Sequence, residues 1–290
     1  MNKINKLFAE RSKDKKFLSL YFCAGCPTLE GTGDTILAMQ RHGIDFIEVG
    51  IPFSDPLADG PVIQTAATRA LKNGMTVAKL LEQLRAIKEL VQIPLILMGY
   101  LNPILHYGID RFCRDAAEAG VSGLIIPDLP FDDYLSTVKP AADRHDLRVI
   151  MLITPETSEE RIRFIDQHTD GFIYMVSSAA ITGAQQNFGE QKQAYFRRID
   201  SMQLRNPRMI GFGISNRQTL QAAQQHAAGA IIGSKFVTLL SEAYDEWNGG
   251  EGCGTNTKRE GNEAHANTES SGAEWAADTA LDRLFKALSE

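Results

Sequence analysis

The stretch 45-DFIEVGIPFSDPLADGPVIQ-64 passes from an apolar run into a loop with three prolines and two aspartates, then into a helical pattern that opens on Pro61. A strand, a loop and a helix in that order make one βα unit. Glu48 lies in the middle of the apolar run. A carboxylate on a buried strand that feeds a loop with two more carboxylates gathers charge where repulsion and desolvation both oppose it, so the unit asks for a chemical reason.

The same unit recurs along the chain. Short apolar runs stand at 17-FLSLYF-22, 45-DFIEVG-50, 94-PLILMGY-100, 122-SGLIIPDLP-130, 148-RVIMLIT-154, 171-GFIYMVS-177, 208-RMIGFG-213 and 229-GAIIGS-234. Between them lie helical segments such as 76-TVAKLLEQLRAIKELV-91, 110-DRFCRDAAEAG-120, 157-TSEERIRFIDQH-168 and 216-NRQTLQAAQQHAAG-229, several opening on a capping Thr or Asn. Strands buried on both faces read as continuous aliphatic runs, as these do. Eight βα repeats predict an α/β fold, the (β/α)8 TIM barrel, in preference to an open doubly wound sheet, which would give a similar string. Chemistry in such a barrel sits on the loops after the strands, where the opening stretch falls. The second loop is long and is expected to carry a helix of its own over 61–74.

Residues 1–248 accommodate this catalytic barrel. The segment 249–275 is rich in Gly, Asn, Glu, Thr and Ser and nearly free of aliphatics, which predicts a polar, disordered insert. A helical pattern over 276–290 is expected to dock back on the barrel.

Composition narrows the function classes. With 43% hydrophobic and 23% charged residues over 290 positions, the chain can bury a substantial core. A formal net charge of -6 without a long basic run gives a nucleic-acid surface no support. The charged, intermittently apolar start resembles neither a signal peptide nor a membrane span, which predicts a cytoplasmic protein. The spacing 22-FCAGCP-27 has no second cysteine pair to complete a zinc site, and the six histidines form no metal motif, so no metal is expected.

Three groups of residues suggest chemistry. Glycines mark the ends of the last strands at 182-TG-183, 211-GFG-213 and 233-GS-234, and the loops after strands seven and eight of a barrel commonly bind phosphate. Glu48 meets no basic residue in the adjoining loop before Arg69, so a desolvated carboxyl with a raised pKa is expected there. Asp55, beside Pro56, reads as a turn former. Asp59 can cap the helix that starts near Pro61 or serve as a second catalytic carboxylate, and spacing leaves both readings open.

The run 48-EVGIPFSDPLADGPVIQ-64 closely resembles the signature of the tryptophan synthase alpha subunit family, and 24-AGCP-27, 98-MGYLNP-103, 127-PDLP-130, 181-ITG-183, 211-GFGIS-215 and 233-GS-234 follow in that family's order. The resemblance covers about residues 1 to 246. It implies a lyase that splits indole-3-glycerol phosphate into indole and glyceraldehyde 3-phosphate by a retro-aldol cleavage, with Glu48 and Asp59 as the catalytic carboxylates. It further implies that Phe22, Tyr100 and Phe212 line the indole pocket, that Tyr174 stands near the glutamate, and that Thr182 bonds the loop-two aspartate as a lid closes. Gly183, Gly213, Gly233 and Ser234 match the phosphate cradle. No cofactor is expected on this chain; the resemblance implies a beta subunit partner, in an alpha2-beta2 complex, that carries pyridoxal phosphate and receives indole through a tunnel. Two departures stand out: Ser178 and Ala180 where many relatives carry Arg and Gly, and the polar insert after Asn248. A ring-closing indole-glycerol-phosphate synthase would need a lysine on a strand end, which none of the eight runs contains. An inactive scaffold is at odds with the intact Glu48 and Asp59.

Overall fold

Each apolar run becomes a strand in the computed structural model: β1 (Phe17–Cys23), β2 (Phe46–Gly50), β3 (Leu95–Met98), β4 (Val121–Ile125), β5 (Arg148–Ile153), β6 (Ile173–Val176), β7 (Arg208–Gly211) and β8 (Gly229–Ile232). The structure describes residues 1–12, 15–176, 190–211, 213–250 and 262–290, with only the backbone of Gly250 and of 262–271. The strands pair in chain order, all parallel, and β8 returns to β1 to close the barrel. Closure leaves no sheet edge, so every strand finds main-chain partners on both sides.

Alternation along the strands separates two apolar layers. Phe17, Phe46, Ile96, Met98, Ile125, Ile150, Tyr174, Val176, Met209 and Ile231 fill the barrel interior. Their sequence neighbours, among them Leu20, Phe22, Ile47, Val49, Leu97, Leu124, Ile210 and Ile232, face the surrounding helices. Because both layers exclude water, the strands lack the polar alternation of a half-exposed sheet.

The N-terminal helix Lys3–Ala9 closes the bottom of the barrel. Ile4 is 1% exposed, and the Phe8 ring packs edge-on to Phe17 at 5.1 Å and tilted to Phe172 at 5.7 Å. Asn2 caps that helix by accepting from the Ile4 N–H at 2.8 Å while its amide donates to the Ser122 carbonyl, also at 2.8 Å. The plug is thereby tied to β4. The expected helix in the second loop is present as Pro61–Lys72, with Pro61 at its first position, where a missing N–H costs nothing.

The C-terminal region differs from the composition-based expectation. The last helix runs Asn262–Ser289, so it begins fourteen residues before 276. A stretch that lacks aliphatics has the composition of an insert, but small residues suffice at close helix contacts. Ala273 lies against Gly31, whose hydrogen leaves the room a methyl would take, and the Trp247 and Trp275 rings meet at 5.4 Å. Ala276, Ala277, Ala280, Leu281 and Leu284 are all fully buried. Arg283 forms a two-pronged pair with Glu246 at 2.7 and 2.9 Å, and Arg41 meets Glu274 at 3.0 Å. The helix thus docks on Thr32–Arg41 and Ser234–Gly250. Residues 251–261 lie outside the described residues.

Leu284→Ala should cost about 2–5 kcal/mol and lower the melting temperature by several degrees, because a fully buried leucine leaves a cavity. Excision of 251–261, by contrast, should leave the melting temperature close to the parent's, since that segment contains no aliphatic residue for a core. Thermal melts of both variants beside the parent check the pair.

Candidate active site

The site is built from the C-terminal ends of the strands. Glu48 occupies the middle of β2 with its side chain in the barrel interior and 0% exposure. Neither carboxylate oxygen has a hydrogen-bond partner among the described residues. Arg69, the nearest base in the following sequence, is turned to Asp245 at 3.3 Å instead. Burial without a cation pushes the Glu48 carboxyl up to about 8, so near neutral pH it holds its proton.

The neighbours of Glu48 are neutral hydroxyls and hydrocarbon. In the sheet register Glu48 stands beside Tyr21 on β1 and Ile96 on β3, and residues in register share a face. Tyr174 is buried and Tyr21 half-buried, and desolvation first drives both phenols well above the ordinary value; Cys23 and then Asp59 add to the rise at Tyr21, and Glu48 and Asp59 at Tyr174. Each ring needs a glycine under its hydroxyl: a Cβ on Gly50 would collide with the Tyr21 oxygen, and one on Gly211 with the Tyr174 oxygen. Glycine at these two positions is set by close approach.

Asp59 comes from the loop between β2 and Pro61–Lys72. Tyr100, 4% exposed and following β3, donates from its hydroxyl to the Asp59 carboxylate at 3.0 Å and accepts from the Ala58 N–H at 2.9 Å. Its ring also lies 5.4 Å from that of Phe53. One tyrosine therefore holds the loop by a side chain, a backbone amide and an aromatic face. Burial raises the Asp59 pKa, and the Tyr100 hydrogen bond opposes that rise. Asp55 is exposed and takes a hydrogen bond from Ser54 beside it, as a turn former does.

Phe22 departs from the expected pocket. It is 0% exposed in the layer between strands and helices, paired in register with the equally outward Val49. The aromatic residue that β1 turns toward Glu48 is Tyr21, which the sequence reading missed. An unbroken apolar run hides its phase, and the one available signal was Ser19, whose parity Tyr21 shares.

At the far side of the site Gly213 follows β7 with φ 76°, a left-handed conformation that suits glycine. Gly233 follows β8, and Ser234 opens the helix Ser234–Gly250, whose first N–H groups have no acceptor within the helix. The helix after β7 differs: Asn216 and Thr219 form a reciprocal capping box there. Free donors and the positive helix end coincide after β8, next to a glycine. Thr182, Gly183 and Phe212 lie outside the described residues. No cluster of His, Cys, Asp and Glu able to hold a metal occurs among the described residues. Cys23 and Cys26 are buried free thiols, which burial pushes up in pKa.

The chain that carries this arrangement has close relatives in sequence and in fold. The family model described as tryptophan synthase alpha chain matches residues 8–266. A tryptophan synthase alpha chain of Phocaeicola vulgatus is 68% identical over 242 residues, spanning 83% of this chain and 93% of that protein. One from Bacteroides fragilis is 64% identical over 242 residues, covering 83% and 91%. The crystal structure of tryptophan synthase subunit alpha from Legionella pneumophila superposes with a TM-score of 0.77 at 35% identity, covering 98% of this chain and 99% of that one. The chain belongs to the tryptophan synthase alpha chain family, lyases that cleave indole-3-glycerol phosphate to indole and glyceraldehyde 3-phosphate.

Proposed function

We propose that Glu48 carries the proton transfers of this cleavage and that Asp59 carries the charge that develops on the indole ring. The observation behind this reading is the protonated, unpaired Glu48 carboxyl in a dry barrel mouth. The bond from indole C3 to the glycerol chain breaks once C3 has been protonated, because the indolenine tautomer is the competent leaving group. A carboxyl that holds its proton at neutral pH can donate it to C3, and the resulting carboxylate can then take the proton from the side-chain hydroxyl. Positive charge meanwhile grows at N1–H, where an ionised Asp59 stabilises it. The two carboxyl groups thus work in opposite protonation states, Glu48 raised by burial and Asp59 restrained by the Tyr100 hydrogen bond.

The remaining residues would bind the substrate. Tyr21, Tyr174 and Tyr100 offer flat faces for the indole, together with Phe212. Gly213, Gly233 and Ser234 would receive the phosphate, with Thr182 and Gly183 completing the lid side. In our reading no cofactor resides on this chain, and a beta subunit carrying pyridoxal phosphate takes up the indole, in an alpha2-beta2 complex in the cytoplasm. Exposed apolar side chains on the loop and helices that follow β2 and β3, Leu57 at 81% and Leu105 at 52%, support a partner on the active-site face. No described helix is long and apolar enough to cross a membrane.

Glu48→Gln should lower kcat by at least the roughly 10²- to 10⁴-fold expected of a general acid-base group, and near-normal indole release from folded variant would overturn the assignment. Stability supplies an independent readout. The folded pKa of about 8 lies above the ordinary 4.5, so the native state binds the extra proton between those values and stability falls as pH rises through the window. Glu48→Gln should therefore be more stable than the parent above pH 8, by on the order of a few kcal/mol, and nearly equal to it near pH 4. Urea melts across pH check the sign.

Tyr100→Phe should raise the Asp59 pKa and reduce kcat/KM by about tenfold, as loss of one charge-assisted hydrogen bond implies. Gly213→Val should raise KM strongly with little change in kcat, since a β-branched residue suits neither a φ of 76° nor a phosphate against the backbone. Steady-state indole formation separates these effects.

A further inference from the structure

The opposite end of the barrel holds a concentration of charge that the lyase reaction does not use. Beneath the starts of β7 and β8 lies an open cleft of about 640 Å³ between the N-terminal helix, the approach to β1 and the segments that precede β7 and β8. Arg11, Lys16, Arg205 and Arg208 line it, together with His226 and one carboxylate, Asp200. We propose that this cleft is a second anion site, one that takes a small phosphate-bearing metabolite.

The argument rests on unmatched positive charge in a concave site. Asp200 is fully committed: one oxygen accepts from Arg208 at 3.1 Å and the other meets His226 Nδ1 at 2.7 Å. Arg205 spends its donors on the neutral carbonyls of Asp166 and Thr169, both at 2.6 Å, so its charge is left uncancelled. Lys16 likewise donates to the Ala227 carbonyl at 2.9 Å, and it has N–H groups to spare. Arg11 lies over the Phe17 ring at 5.9 Å and has no carboxylate partner among the described residues. The Arg208 Nε is buried without an acceptor. Four cations and one carboxylate line the cleft, and the next carboxylate, Asp166, lies behind the wall and accepts from the Arg205 and Asn206 main-chain amides, so the lining charge is predominantly positive even with His226 neutral. Burial first and then repulsion from Arg11 lower the Lys16 pKa, with Asp200 opposing the fall and Arg208 adding to it, and a bound anion would offset the repulsion among these cations. Arginines and a lysine around a cleft of this size suit the oxygens of a phosphate group. The exposed Gln225 amide on its wall can donate to the rest of such a molecule, whereas the buried Asn206 amide is spent on Asp166 and Thr169.

This site is distinct from the phosphate cradle of the reaction. Strand β7 begins at Arg208 in the cleft and ends at Gly211, beside Gly213, so the two anion sites lie at opposite ends of one strand.

The test is calorimetric titration of the full chain with pyrophosphate and, separately, inorganic phosphate, at constant ionic strength. Saturable binding that Arg11→Gln or Lys16→Gln weakens at least about tenfold, and that Gly213→Val leaves in place, supports the site. Binding unchanged by both lower-face substitutions, or abolished by Gly213→Val, overturns it. Inorganic phosphate binding as tightly as pyrophosphate would mark a single phosphate as the recognised group; tighter pyrophosphate binding would mark a diphosphate. Should a variant fold poorly, the parent still decides: the side-chain amide resonances of Asn206 and Gln225 shift saturably with pyrophosphate if the cleft binds it and stay fixed if it does not.

Discussion

An unpaired carboxyl inside a hydrocarbon barrel is the constraint around which the rest is arranged. Ionising Glu48 in that place costs free energy, and the molecule avoids the cost by keeping the proton on. That outcome needs a site free of both bulk water and cations. Closure of the sheet provides the first condition, because β8 pairs with β1 and no strand edge admits solvent. The interior supplies the second: Ile96 and Met98 stand beside Glu48 on β3, Tyr21 on β1, and Arg69 is drawn off to Asp245. A lysine or arginine in this layer would form a more stable pair with Glu48 and hold it ionised, leaving no proton to give to carbon.

The second carboxylate answers a different requirement and has a different support. A strand gives Glu48 one position, whereas Asp59 depends on a proline-rich loop whose anchor, Tyr100, belongs to the next βα unit. Because the tyrosine hydroxyl donates to Asp59, it favours the ionised form that burial disfavours. The same fold therefore pushes one carboxyl strongly up and restrains the other. In the mechanism we propose, two acids of nearly equal intrinsic strength take opposite roles through a single hydrogen bond and the lack of one.

The barrel, and the buried carboxyl on its second strand, were legible in the sequence because both depend on local pattern: eight apolar runs with helices between them, and a carboxylate in a run with no base nearby. Phase was not legible. In 17-FLSLYFC-23 every position is apolar or small, so the parity of Ser19 is the one local hint that Tyr21 and not Phe22 faces the interior; pairing with β2 decides it, and pairing is a long-range fact. The start of the last helix escaped for a related reason. Alanines and a glycine between 272 and 280 look like spacer until the surfaces they meet, Gly31 and Trp247, are brought alongside by the barrel. Composition reports whether a segment can make its own core, and this one borrows a core from two other helices.

The two ends of the barrel also follow from one property of parallel strands. All eight point the same way, so the helices that follow them bring their N-termini to one rim, where free N–H groups favour anions. The opposite rim receives helix C-termini, and there positive side chains are needed to answer exposed carbonyls: Arg205 donates to Asp166, Gln167 and Thr169 at the end of Glu159–His168, and Lys16 to Ala227 just after Arg217–His226. Basic residues recruited to cap carbonyls bring full charges to meet partial ones, and in the cleft beneath β7 and β8 they outnumber the one lining carboxylate, Asp200. Of the two anion sites we propose, the one at the upper rim thus rests on backbone, and the one at the opposite rim on the side chains that the same backbone polarity requires.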